Sequence, residues 1–200
     1  MASYSVWLML SPAPAMVCRA AMQEASALAL SSTSAPPCPS FTPHITLVGD
    51  IVPGKDQRTP DEIVAQLTET IKLSVSSTLP DGCILRPRRA AAMDKGCDTW
   101  NMCVMLWIDA EESLSKLREE IIARTGLQVE ARTFRPHISL LYGVLDFDKR
   151  EEIARALNER FFDESEDLSF KLHKVALVES PVPGYDGIGD WKVVSEIDIQ

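Results

Sequence analysis

Apolar residues recur along the chain with two different periods, and these periods predict an alternation of strands and helices. Short alternating or continuous apolar runs are typical of strands, whereas apolar residues three or four positions apart are typical of helices. In the first half, this pattern predicts strands over Tyr4–Leu10 and Phe41–Val52. A helix is predicted over Ala13–Leu30, and the Ser- and Pro-rich segment Ser31–Ser40 predicts a loop. A second helix is predicted to start at Thr59, because the tetrapeptide T-P-D-E reads as a capping box with proline at the first helical position.

The second half repeats this order of elements. Strands are predicted over Cys83–Met93, Asn101–Asp109, Phe134–Val144, Leu168–Glu179 and Trp191–Ile199, with one helix opened by Asp109 and ended by Gly126 and another capped by Asp148. The halves together predict an α+β fold of two pseudo-symmetric lobes, each a small antiparallel sheet with helices on its outer face. Since no long linker separates them, residues 1–200 are expected to form one bilobal domain around a central cleft.

One heptapeptide occurs twice, once in each half. Residues 41–47 read F-T-P-H-I-T-L and residues 134–140 read F-R-P-H-I-S-L, so that five of seven positions are identical. Two of the only three histidines of the chain, His44 and His137, occupy the same place in the two copies. This repeat predicts motif strands over 41–52 and 134–144 that carry equivalent histidines.

Alternation along these strands predicts where the polar side chains point. His44 and Thr46 share one face of the first motif strand, and His137 and Ser139 share the same face of the second. The opposite face is apolar and suits the helices. The pattern therefore places two imidazoles and two hydroxyls around one cleft.

Two imidazoles and two hydroxyls are the groups that hydrolysis of a phosphodiester needs. One imidazole can take a proton from water and the other can protonate the leaving alkoxide, while the hydroxyls donate hydrogen bonds to the phosphate oxygens. The sequence contains neither a G-x-S-x-G elbow nor a Cys/His cluster with zinc spacing. We therefore expect catalysis without a metal or a cofactor.

The formal charge of −9 and the pI of about 4.9 narrow the range of partners. Such a chain repels long nucleic acid and anionic membranes, but a small anionic ligand remains compatible with it. Five cysteines, an odd number, are typical of free thiols in a reducing compartment. We therefore expect a cytoplasmic monomer. A disulfide between Cys97 and Cys103 is the one pairing that their spacing suggests.

Three segments give the chain a family resemblance: Y-S-V-W-L-M at 4–9, P-H-I-T-L-V-G at 43–49 and P-H-I-S-L-L-Y-G at 136–143. They resemble the two-histidine phosphoesterase superfamily, and in particular its cyclic phosphodiesterase branch of plants and fungi. The resemblance implies hydrolysis of ADP-ribose 1″,2″-cyclic phosphate, a by-product of tRNA splicing, and of nucleoside 2′,3′-cyclic phosphates to 2′-phosphates.

The resemblance also implies roles for individual residues. His44, Thr46, His137 and Ser139 match the family's catalytic set, with His137 favoured as base and His44 as acid. Tyr142 matches a tyrosine of the family's site, although strict alternation places it on the core face, so it needs a bulge or strand end to reach the cleft.

Several other residues are left undecided by the sequence. Trp7 can stack on a base, line the cleft or belong to the core. Trp100 is a candidate stacking residue in a loop over 97–100, and His173 lacks a motif. The basic run formed by Arg86, Arg88 and Arg89, and also Arg135, either faces a phosphate or lies on a solvated surface.

Two other functions remain open. A 2′–5′ RNA ligase-like or RNA-end-processing phosphodiesterase would act on a polymer, which the charge of −9 disfavours. A non-catalytic nucleotide-binding module on the same fold would tolerate the loss of one motif residue, whereas both motifs are complete here.

Overall fold

The computed structural model describes residues 3–31, 38–52, 59–93, 102–109, 112–125, 134–163, 168–180 and 185–199. In chain order its elements are β1 (Ser3–Leu10), α1 (Pro12–Leu30), β2 (His44–Ile51), α2 (Pro60–Thr78), β3 (Ile84–Leu85), β4 (Pro87–Ala92), β5 (Met102–Ile108), α3 (Glu112–Thr125), β6 (His137–Tyr142), α4 (Phe147–Phe161), β7 (Phe170–Ser180), a 3₁₀ helix (Tyr185–Asp190) and β8 (Lys192–Asp198). The predicted α+β class with antiparallel strands is confirmed.

The capping box predicted for α2 is present. The Thr59 hydroxyl accepts a hydrogen bond from the Glu62 backbone N–H at 3.3 Å, and the Glu62 carboxylate accepts one from the Thr59 N–H at 2.7 Å. Two of the backbone donors that a helix start leaves unsatisfied thus gain partners. From this start, Leu67, Ile71 and Val75 recur at helical spacing on the buried face.

The strands follow the order β3-β7-β1-β2-β6-β5-β4, and β8 pairs with β7. All the pairings are antiparallel. The sheet has two parts, which we call half-sheets. The first contains β3, β7, β1 and β2 together with β8, and the second contains β6, β5 and β4. They meet where β2 lies beside β6, at the pairing of Ile45 with Ile138. The two copies of the repeated heptapeptide therefore lie side by side at the centre of the molecule.

The two lobes do not coincide with the two halves of the sequence. Counted by residue number, β4 lies within residues 1–100 and pairs with β5, whereas β7 lies within residues 101–200 and pairs with β1. The helices cross over in the same way, because α1 packs near β6 and α3 packs near β2. The pseudo-symmetry that the repeat predicts is thus kept by an exchange of equivalent elements between the halves.

The single strand predicted over Cys83–Met93 is wrong, because the segment forms two strands in different half-sheets. β3 pairs with β7 through Leu85 and Phe170, and β4 pairs with β5 beginning at Pro87. Proline lacks an N–H for the ladder, and it restricts the residue before it. Pro87 therefore marks the point where the chain passes from the edge of one half-sheet to the edge of the other.

Other predicted boundaries differ by a few residues. The N-cap of α4 is Asp146, and Asp148 lies in the first turn of the helix, where a carboxylate favours the positive end of the helix dipole. The second motif strand is shorter than 134–144. Gly126, the proposed end of α3, and most of the loop predicted between α1 and β2 lie outside the described residues.

The apolar faces of both motif strands lie in the core, as alternation predicts. Ile45 and Leu47 of β2, and Ile138 and Leu140 of β6, are 0–2% exposed and belong to one large cluster with the helices. This burial fixes the register of both strands, because a shift by one residue would put the motif histidines into the core. No helix in the described part of the chain is long and apolar enough to cross a membrane.

Candidate active site

The polar faces of the two motif strands line one cavity. His44 and Thr46 from β2 and His137 and Ser139 from β6 all contribute to its wall. Each histidine is the first residue of its strand. Because β2 and β6 run antiparallel with Ile45 paired to Ile138, His44 lies across from Ser139 and His137 lies across from Thr46. The structure thus places together the four residues that the sequence singled out. The cavity has a volume of about 200 Å³, below the ~300–1,000 Å³ of typical pockets for drug-sized ligands.

Both imidazoles are held by the same backbone contact. The Nδ1 of His44 lies 2.7 Å from the Thr42 carbonyl oxygen, and the Nδ1 of His137 lies 2.9 Å from the Arg135 carbonyl oxygen. A carbonyl oxygen only accepts, so Nδ1 must carry the proton in each ring. Nε2 is therefore the nitrogen that exchanges a proton with a ligand, as a general base when it is bare and a general acid when it is protonated.

The two histidines differ in their aromatic neighbours. Trp7 stacks on His44 with 3.5 Å between ring centroids and 6° between the planes. Trp107 contacts His137 edge-on, at 5.7 Å and 66°. The repeated strands thus give two imidazoles with the same anchor but different surroundings, and Trp7 belongs to the wall of the site.

Burial makes both histidines weaker bases than usual. It is the largest cause that lowers the pKa of His44 to about 4; the Thr42 carbonyl acts in the opposite direction, and His137 adds to the lowering. Burial also lowers the pKa of His137, against the opposing effect of the Arg135 carbonyl. Both imidazoles are therefore neutral at pH 7 until an anion enters the cavity.

The two motif hydroxyls lie in different environments. Thr46 is exposed at the cavity, and its hydroxyl has no hydrogen-bond partner among the residues that the structure describes. Ser139 is 7% exposed, and its Oγ accepts a hydrogen bond from the Tyr142 hydroxyl at 2.9 Å. Burial raises the pKa of Tyr142 to about 12, the Ser139 contact acting in the opposite direction, so the phenol keeps its proton and donates it.

Tyr142 reaches the cavity through an irregularity in the sheet. The register of β6 on β5 shifts between the pairs Ser139–Met105 and Leu141–Val104, and again before Tyr142 pairs with Met102. Such a shift breaks the strict alternation of side chains. Tyr142 therefore lines the same cavity as His137 and Ser139.

The sequence did not single out Trp191, which nevertheless links the parts of the site. This residue follows the 3₁₀ helix, and its ring meets the rings of Trp7, Phe41, His44 and Tyr142 edge-on at 5.1–6.3 Å. Nothing in the sequence around Trp191 repeats the motif, and only the pairing of β8 with β7 brings it here. The rest of the cavity is lined by Ser3, Ser5, Gly49, Val178 and Ser180.

The remaining residues of interest lie elsewhere. The basic side chains of Arg88, Arg89 and Arg135 do not line this cavity but a neighbouring one. His173 is exposed on β7 and lines neither. Trp100 lies outside the described residues. The predicted disulfide between Cys97 and Cys103 is not formed, because Cys103 is a buried thiol whose Sγ donates a hydrogen bond to the Gly143 carbonyl oxygen at 2.9 Å.

In the described lining of the cavity, only the two histidines can carry a positive charge, and they do so when protonated. It contains neither Asp or Glu nor Lys or Arg, so an anion must be held by hydroxyls, backbone groups and a protonated imidazole. In the described ranges, three or more His, Cys, Asp or Glu side chains do not come together in a group that could hold a metal ion.

Comparison with known proteins places this arrangement in a family. The sequence model of the protein family described as the 2′-5′ RNA ligase superfamily matches residues 14–182. No curated protein sequence gives a match. The crystal structure of TT0787 of Thermus thermophilus has 16% sequence identity and a TM-score of 0.59, covering 98% of this chain and 97% of that one. E. coli LigT complexed with 3′-AMP has 15% identity and a TM-score of 0.51, covering 99% and 98%. These solved structures share the fold.

Proposed function

Because the chain belongs to the 2′-5′ RNA ligase superfamily, we propose that it is a cyclic phosphodiesterase that opens a small cyclic phosphate by general acid–base catalysis. One observation carries the proposal: two imidazoles, each with Nδ1 held by a backbone carbonyl, line one small cavity together with two motif hydroxyls. The proposed substrates are ADP-ribose 1″,2″-cyclic phosphate and nucleoside 2′,3′-cyclic phosphates. The proposed enzyme is a cytoplasmic monomer that needs no metal.

The geometry supports a single-step displacement at phosphorus. The Nε2 of one histidine takes a proton from water, which attacks phosphorus and forms the new P–O bond. The Nε2 of the other histidine gives its proton to the alkoxide that leaves on the opposite side. Thr46 and Ser139 donate hydrogen bonds to the non-bridging oxygens, where negative charge lies throughout.

The assignment of His137 as base and His44 as acid stays a prediction. Burial of His44 opposes its assignment as the acid, because burial favours the neutral imidazole. The parallel indole of Trp7 favours it, since an aromatic face stabilises a cation above it. A phosphate in the cavity stabilises either imidazolium.

The shifted histidine pKa values predict an acidic optimum for kcat/KM, which follows the ionisation of the free protein. One histidine must be neutral and the other protonated. Because both pKa values are lowered from 6.5, this combination is most populated below pH 6.5, and activity falls on both sides. The kcat profile should lie at higher pH, because bound phosphate stabilises the imidazolium. Rate measurements from about pH 4 to pH 9 test this, and a kcat/KM maximum on the alkaline side of neutrality would contradict it.

The family description favours a second candidate function, the joining or cleavage of 2′–5′ linkages at RNA ends. Its substrate is a polymer with several phosphates, which needs a basic track beyond the catalytic groups. The described wall of the cavity contains no Lys or Arg, and the basic residues Arg88, Arg89 and Arg135 line one neighbouring cavity and not an extended groove. A non-catalytic binding module is less compatible still, because both H-x-[ST] motifs keep all their polar groups in the cavity.

A substrate panel with and without EDTA tests the proposed function. We expect turnover of ADP-ribose 1″,2″-cyclic phosphate and of nucleoside 2′,3′-cyclic phosphates, with rates unchanged after exhaustive treatment with EDTA. Short 2′–5′ oligonucleotides should react much more slowly. Loss of turnover in EDTA, with recovery when a divalent metal is added, would refute the metal-independent two-histidine mechanism. Faster reaction of the oligonucleotides than of the cyclic phosphates would favour the second candidate function.

A further inference from the structure

A second cavity opens beside His137. It has a volume of about 380 Å³, and three arginines stand in its wall together with Trp107 and Phe134. The arginines are Arg88, Arg89 and Arg135. They come from β4 and from the segment before β6, so only the fold brings them together.

This basic cavity, as we call it, lies next to His137. Trp107 is paired with His137 across β5 and β6, and side chains of directly paired residues share a face of the sheet. Their ring centroids lie 5.7 Å apart. Arg135 precedes His137 by two residues, and its carbonyl oxygen holds the imidazole Nδ1. A ligand bound at His137 can therefore extend into the basic cavity.

The charge of this cavity contrasts with that of the rest of the chain. Arg88 forms an ion pair with Asp109, which also stands in the wall. Arg89 and Arg135 are exposed, and within the described ranges neither has an acidic partner. Two unneutralised guanidinium groups thus face one depression in a protein whose formal charge is −9. The Arg118 guanidinium lies 5.6 Å from the ring centre of Phe134 and adds to the positive charge nearby.

We propose that the basic cavity binds a second phosphate group of the substrate, one that is not broken in the reaction. The inference rests on the proposed function and deepens it, because it makes nucleotides that carry a terminal phosphate or a pyrophosphate besides the cyclic phosphate the preferred substrates. Guanidinium groups match phosphate oxygens with paired hydrogen bonds. The indole of Trp107 offers a flat surface to a sugar or a base between the two phosphates.

The extent of the positive surface favours a small ligand over a polymer. A polynucleotide needs a basic groove that follows its backbone for several nucleotides. The described wall on the other side of the histidines consists instead of Ser3, Ser5, Gly49, Val178 and Ser180. Positive charge is therefore available for about one phosphate group beyond the scissile one.

Two substrates that differ by one phosphate test the inference. Adenosine 2′,3′-cyclic phosphate has the cyclic phosphate alone, and its 5′-phosphorylated form has one more. We expect the wild-type protein to prefer the 5′-phosphorylated form in kcat/KM by about tenfold, the effect of one charge-assisted hydrogen bond. Arg89→Ala and Arg135→Ala should each lower this preference several-fold, and the double variant should abolish it.

The matched control is Arg86→Ala. Arg86 is an exposed arginine between β3 and β4, and its side chain lines neither cavity. Its replacement removes the same charge from the same segment and should leave the preference as it is. Equal effects of Arg86→Ala and Arg89→Ala, or a wild type without any preference, would overturn the inference. So would kcat/KM that keeps rising with the length of an RNA oligonucleotide.

Direct binding separates this inference from the proposed function. Calorimetric titration with inorganic pyrophosphate should show binding to the wild type that weakens about tenfold in the Arg89→Ala and Arg135→Ala double variant, with the fold checked by circular dichroism. If no cyclic phosphate is turned over but this difference is found, the proposed function fails and the basic cavity stands. If turnover occurs and pyrophosphate binds both proteins equally, the basic cavity is refuted and the proposed function stands.

Discussion

His44→Ala and His137→Ala are each expected to lower kcat by at least about 10²-fold, within the ~10²–10⁴-fold that a general acid or base contributes. The two imidazoles line one cavity and expose Nε2, because Nδ1 is engaged by a backbone carbonyl in both. In the proposed mechanism they act on opposite sides of one phosphorus atom, so neither can replace the other. Steady-state kinetics with a nucleoside 2′,3′-cyclic phosphate measures the loss.

The double variant and a third histidine complete this experiment. Because both groups act in one step, the double variant should lose much less than the product of the two single losses. His173→Ala is the matched control, since His173 is exposed and lies outside both cavities; it should behave like the wild type. Near-normal kcat in either motif variant, with the fold shown intact by circular dichroism, would leave the mechanism without support.

Thr46→Ala and Ser139→Ala should each lower kcat/KM by ~10–10³-fold, the range found for removal of one donor to a developing or persistent oxyanion. Their effects on stability should differ, because their surroundings differ. Thr46 is exposed, so its replacement costs little. Replacement of Ser139 removes the acceptor of the buried Tyr142 hydroxyl, and an unsatisfied buried hydroxyl costs about 1–3 kcal/mol of the free energy of unfolding.

Two further variants separate catalysis from packing in this prediction. Tyr142→Phe keeps the ring and removes only the O–H, so it should cost less in kcat/KM than Ser139→Ala and add little to it in the double variant. Ser195→Ala, on β8 and away from both cavities, removes a strand hydroxyl and should leave kinetics unchanged. Wild-type kinetics in both Thr46→Ala and Ser139→Ala would reduce these hydroxyls to strand residues.

The repeated heptapeptide explains why the centre of the fold was predictable. The period of two along β2 places His44 and Thr46 on one face of the strand and Ile45 and Leu47 on the other. Burial of Ile45 and Leu47 then fixes the register of the strand in the sheet. The capping box of α2 was equally predictable, because its contacts join residues three positions apart. In both cases the interaction that decides the structure lies within a few residues of sequence.

Features that depend on distant residues were not predictable. Trp191 meets Trp7 only because β7 carries β8 to the first half-sheet. Arg89 and Arg135 read as separate basic residues until β4 is found beside β5. The division of 83–93 into two strands likewise depends on which partners its two parts find, which hydrophobic periodicity along one segment does not encode.

The exchange of strands between the halves constrains how the protein is made. β1 is synthesised long before β7, yet β7 is one of its two neighbours in the sheet. A nascent chain that has not yet reached Phe170 therefore carries a β1 with one unpaired edge, which is a template for pairing with other chains. Because β7 is synthesised long after β1, this edge of β1 cannot be paired until β7 has emerged, and it is open to aggregation during that interval.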